Sequence, residues 1–148
     1  MKLYNLKPSE HFGPPCGSVA LSVLNGKKPS KNIVDILDYR KSQKPYKDEY
    51  IYDLENFYRD YSIIYFREIL HFFSPFFHPK SQIIWLKKKI SVLDFAELLN
   101  PRFTYLIAST IHLQVVRNNK IWDTAGTNVP IINNQFNNEI VKWFVRLK

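Results

Sequence analysis

Apolar and polar positions along this chain follow two periods, helical up to about residue 100 and extended beyond it. Val19, Ala20, Leu21, Val23 and Leu24 make an apolar helical run that Pro14-Pro15 opens and Asn25-Gly26 closes. Gly26-Lys27-Lys28-Pro29-Ser30 reads as a turn ending in a helix cap. Ile33, Val34, Ile36 and Leu37 then predict a second helix over 31–40, packed beside the first. Residues 41–47 form a polar, proline-interrupted connector. The aromatic-rich stretch over 50–77 predicts two helices, at 49–61 and 63–73, with Ser74-Pro75 stopping the second. Core packing with a polar outer side accounts for this stretch, and a partner-binding surface is the alternative.

Further along, Gln82-Ile83-Ile84-Trp85-Leu86 predicts a short strand. Ser91-Val92-Leu93-Asp94 has the form of a capping box with Asp in place of Glu, and opens a helix carrying Phe95, Leu98 and Leu99 that ends at Asn100-Pro101. Strands follow over 103–109, 111–117 and 120–123, with Asn118-Asn119 as a hairpin turn, Asp123-Thr124-Ala125-Gly126 as a further turn and a closing strand over 141–147. Helices first and strands second predict an α+β class: N-terminal helices packed on a C-terminal antiparallel sheet, in a single domain over 1–148. Neither an internal repeat nor a Gly-rich phosphate loop is present.

Composition narrows the reading. With 45% apolar and 16% aromatic residues the chain is globular rather than disordered, and its aromatics dominate the core. One cysteine excludes an internal disulfide. Met1 to Pro8 carry neither an apolar leader nor a cleavage site, and no stretch approaches the about 18 apolar residues of a membrane span, so a cytosolic, soluble protein without a membrane partner is expected. The net charge of +8 attracts polyanions, which keeps nucleic acid as a secondary partner. Most lysines are scattered, however, and Lys87-Lys88-Lys89 reads as a solvated face.

Cys16 stands where the first helix begins. Unpaired N–H groups and the positive end of the helix dipole there favour an anion, hence the nucleophilic thiolate, and could hold a developing oxyanion. A thiol nucleophile needs a base, and the base needs an orienting group. His112 begins one strand and Asp123 ends the next. Pairing centred between Asn118 and Asn119 sets residue 112 against 125, with Asp123 a short diagonal away. Asp123 would then accept the Nδ1 proton and leave Nε2 facing Cys16. Taken singly, each residue has an ordinary reading: a small buried cysteine, a surface or core histidine, a turn-forming aspartate. Their joint geometry is what singles them out. His11, expected on a loop, and His78 are rival bases. Four dispersed histidines (His11, His71, His78, His112) and one cysteine lack zinc-ligand spacing, so no metal or cofactor is expected.

These residues resemble a known family. Cys16 to Leu21, the Gly26-Lys27-Lys28-Pro29 turn, the helix over 92–99, the run from Tyr105 through His112 to Asp123-Thr124, and the closing Val141 to Val145 are similar to phage-encoded papain-like cysteine peptidases, related in fold to bacteriocin-processing cysteine peptidases. The resemblance implies a papain-like cysteine protease fold with a Cys16, His112, Asp123 triad, and a helical insertion over 50–86 that has no family counterpart. Three positions depart from the pattern. Pro15 replaces the Asp before the cysteine, Ala125 replaces a Trp, and Glu10 stands where an oxyanion-donating Gln belongs, leaving Asn5 or the Cys16 N–H for that task.

The function expected from residues and resemblance together is that of a cysteine-dependent hydrolase or acyl-transferase acting on a peptide or side-chain amide. Its substrate would be a protein or peptide, for a phage product a host protein in the host cytoplasm. Proteolysis, deamidation and transamidation share this chemistry. The alternatives are a catalytically inactive papain-like fold that binds a host protein or nucleic acid, and a dedicated nucleic-acid binder.

Overall fold

A computed structural model of the chain describes residues 1–43, 64–110 and 112–148. Its helices are α1 (Pro8–His11), α2 (Cys16–Asn25), α3 (Pro29–Ser42), α4 (Phe66–Phe73) and α5 (Val92–Leu98). Its strands are β1 (Ile84–Trp85), β2 (Thr104–Ser109), β3 (Leu113–Arg117), β4 (Lys120–Asp123), β5 (Gly126–Pro130) and β6 (Val141–Arg146). They form one antiparallel sheet in the order β1-β6-β2-β3-β4-β5. The protein is therefore α+β, with helices against a six-stranded antiparallel sheet.

Strand alternation divides the core in two. Leu106, Leu113, Val115, Trp122 and Val145 pack with α2 and α4 on one face, while Tyr105, Ile107, Val116 and Ile121 pack with α5 and the 3-10 turn Ile131–Asn133 on the other. Every residue of β2 is buried, as suits a strand covered on both faces. In β6, Trp143 and Val145 join the α2 side while Val141 joins the other. A register shift against β2 at Ala108/Ser109 produces that switch and explains the imperfect alternation over 141–147.

Helix α2 is buried from Gly17 through Leu24, so it cannot rotate without exposing core, and the residue at its head is fixed relative to β3 and β4. Gly26 caps it at φ 75°, in the left-handed region where glycine is strain-free. Helix α3 starts at Pro29, two residues before the expected 31, because proline is suited to the first helical position; the cap is Lys28, not Ser30. Asn32 of α3 donates to Ser22 Oγ of α2 at 2.8 Å, a buried link between the two helices. A second buried link joins α3 to α4: Arg40 pairs in bidentate fashion with Glu68, Nε to Oε2 at 3.0 Å and Nη2 to Oε1 at 2.8 Å.

The helix expected over 49–61 lies outside the described residues. The next begins at Phe66, with Tyr65 as its cap. Within the strand expected over 82–86, Ile84 and Trp85 pair with Phe144 and Trp143 at the edge of the sheet. Two short elements escaped the sequence reading: α1, only four residues long, and β5, whose Thr127-Asn128-Val129-Pro130 run lacks apolar alternation. Among the described residues no helix is long and apolar enough to cross a membrane.

Candidate active site

Two asparagines with positive φ, Asn118 at 51° and Asn119 at 58°, make the tight β3–β4 turn. The ladder pairs Arg117 with Lys120, Val116 with Ile121 and Val115 with Trp122. Continued by one step, it sets Gln114 opposite Asp123. His112, two residues before Gln114, follows on the same strand face.

Asp123 is completely buried and receives a dense set of donors. On Oδ2 converge His112 Nε2 at 3.1 Å, Gln114 Nε2 at 2.8 Å and Asn134 Nδ2 at 3.0 Å; on Oδ1 the Ala125 N–H donates at 2.8 Å. Burial alone would push this carboxyl up. The hydrogen bonds from His112, Gln114 and Asn134, joined by the positive charge of His112, overcome it and hold Asp123 below the usual carboxylate range. An ionised carboxylate only accepts, so Nε2 of His112 carries the proton of that bond and Nδ1 is the nitrogen left for the sulfur. The ring is thus turned end for end from the expected orientation, in which Nδ1 served Asp123.

His112 is itself buried and lies against Phe136, ring centroids 4.0 Å apart. Burial, the largest influence, disfavours its charged form. The hydrogen bonds to Asp123 and to Cys16, and the charges of both, outweigh burial and raise His112 to about 9. At neutral pH the ring is therefore an imidazolium, held between a carboxylate and the sulfur.

Cys16 is the first residue of α2, half-buried, behind Pro15 at φ −59° and ψ 147°. Its own N–H and those of Gly17 and Ser18 fall in the first turn, where no helical carbonyl can reach them. Gly17 is required by close packing: a Cβ there would meet Ile64 Cδ1 at 2.8 Å. Cys16 and His112 open together onto a cavity of about 590 Å³, walled by Ile64, Phe66, Ile69, Trp85 and Trp143.

Cys16, His112 and Asp123 are thus brought together. Asn5 is not: it does not line the cavity, and its Oδ1 accepts from Trp122 Nε1 at 2.9 Å, so the N–H groups of α2 are the oxyanion donors at hand. Glu10 accepts from the Lys7 N–H at 2.9 Å. His11 lies in a helix rather than a loop and sets Nδ1 3.1 Å from the Thr124 carbonyl, while His78 accepts from the Lys80 N–H; neither lines the cavity. Among the described residues no cluster of His, Cys, Asp or Glu is placed to hold a metal ion.

Gln114 and Asn134 were missed from sequence. Gln114 had a signal: it faces Asp123 in the very register that relates Asp123 to His112. Asn134, in an irregular Asn133-Asn134-Gln135 run, had none. It nonetheless links two parts of the site, donating to Asp123 and accepting from the Phe136 N–H at 2.8 Å. Compared with known proteins, the chain matches no family model, no curated protein and no solved structure.

Proposed function

We propose that this chain is a cysteine-dependent hydrolase or acyl-transferase of papain-like fold, acting on a peptide or side-chain amide bond. The observation that carries the reading is a junction: Cys16 at the head of α2 and His112 immediately before β3 share one cavity, and His112 is bonded at 3.1 Å to the buried Asp123 at the end of β4. The Cys16 thiolate attacks the carbonyl carbon and the carbonyl π pair moves onto oxygen, where the first N–H groups of α2 stabilise it. As the C–N bond breaks, Nδ1 of His112 gives its proton to the leaving amine, and a thioester remains on Sγ. Water or an amine, its proton taken back by Nδ1, then releases the acyl group as acid or amide and restores the thiolate. Asp123 keeps Nε2 protonated and the ring in one plane throughout.

The resemblance at Cys16 to Leu21 and at Tyr105 to Thr124 extends the proposal to a phage product that modifies a host protein. The deciding experiment incubates the purified chain, and a Cys16→Ala variant, with a complex peptide mixture and follows it by mass spectrometry. New termini or deamidated side chains formed by the wild type alone support the reading. Turnover shared by both proteins overturns it. No turnover, together with a Cys16 that alkylates like a free thiol, leaves the inactive, binding-only alternative.

A further inference from the structure

Part of the cavity wall is aromatic and comes from elements that supply none of the triad. Phe66 at the start of α4, Trp85 in edge strand β1 and Trp143 in β6 stand in mutual contact, with ring centroids 5.6 Å apart for Phe66 and Trp85, 6.2 Å for Phe66 and Trp143, and 6.3 Å for Trp85 and Trp143. Trp143 is buried, but Trp85 is 60% exposed and Phe66 43% exposed. Two large aromatic faces are therefore left in water beside the sulfur. Covering them with an apolar group is favourable, and ring-on-ring contact adds geometric preference.

The cavity also discriminates by charge. Among the described residues it is lined by no ionisable side chain apart from Cys16 and His112, the polar lining being Ser109 and Thr110. A charged group entering it would lose hydration against a mostly apolar lining. Its volume, about 590 Å³, lies within the range of about 300–1,000 Å³ typical of sites that enclose a ligand.

We propose that Phe66, Trp85 and Trp143 form a specificity site selecting substrates with an aromatic side chain beside the scissile carbonyl. This inference rests on the cysteine-acyl chemistry proposed above and adds its substrate class. The test uses thiol-directed peptidyl vinyl sulfones that differ only in one side chain, Phe, Asp or Lys. The rate of Cys16 labelling by each is divided by the iodoacetamide rate of the same protein. The site predicts that the Phe probe labels wild type about tenfold or more faster than the Asp and Lys probes, and that Trp85→Ala and Phe66→Ser each bring the ratio toward one. Equal rates for the three probes on wild type overturn it, as does a Phe preference that survives both substitutions. The iodoacetamide rate separates this from the parent reading: if it does not depend on His112, the acyl chemistry fails, whereas a His112-dependent rate with no side-chain preference sinks the aromatic site alone.

Discussion

Nε2 of His112 lies 3.1 Å from Oδ2 of Asp123, and that oxygen also accepts from Gln114 and Asn134. The imidazole is thereby fixed at Nε2, with Nδ1 on the side of Cys16. Charge on His112 and order at Asp123 depend on each other.

Cys16 should be alkylated by iodoacetamide faster in the wild type than in His112→Ala. The imidazolium beside it, raised to about 9, is the reason. Iodoacetamide labelling of both proteins from pH 5 to 10 measures the difference. Turnover, which needs the imidazolium proton for the leaving group, should fall as pH rises through about 9.

Stability should carry the same signature. His112 is raised from 6.5 to about 9 on folding, so its contribution is complete below about 6.5 and is lost as pH climbs to about 9. Asp123 is lowered from 3.8, so its contribution is complete above that value and is lost as pH falls through the depressed one. Urea midpoints across pH should decline on the alkaline side in wild type and be flatter there in His112→Gln.

Asp123→Ala should be among the costliest single changes in the chain, at about 3 kcal/mol or more, because it strands buried donors on His112, Gln114 and Asn134 together. Urea denaturation gives the loss directly.

Gln114→Met offers a finer test. Gln114 must aim its amide nitrogen at the carboxylate, which leaves its buried Oε1 without a partner among the described residues. Methionine removes both the donor and the stranded acceptor, so global stability should change little. With one donor fewer, Asp123 should titrate at higher pH, and the acid-side loss of stability should begin earlier.

The pair Arg40 and Glu68 predicts a contrast between single and double variants. Both side chains are buried, and Glu68 also accepts from the Tyr65 N–H at 3.0 Å. Glu68→Gln or Arg40→Met should each cost about 3–5 kcal/mol, and the Arg40→Met, Glu68→Leu double variant should recover much of it. Chemical denaturation of the three proteins completes the comparison.

Much of this arrangement was legible in the residues. The head of α2 was readable because prolines and Gly26 punctuate an uninterrupted apolar run, and the β3–β4 register because Asn118 and Asn119 tolerate positive φ. The orientation of the His112 ring was not, since either nitrogen reaches a diagonal carboxylate until the backbone fixes the approach. Nor was the ion pair of Arg40 with Glu68, residues 28 positions apart whose meeting depends on how α3 and α4 dock. Polar side chains buried inside a network look like solvent-facing ones in a pattern; Gln114, flanked by Leu113 and Val115, is the example.

The sulfur, the imidazole and the carboxylate come from α2, β3 and β4, whereas the aromatic wall comes from α4 and the two strands at one border of the sheet. Under the proposed chemistry, substitutions in that border would change which side chain the cavity accepts and leave Cys16, His112 and Asp123 untouched. Side-chain preference would then be free to change one aromatic residue at a time while the proposed chemistry is kept.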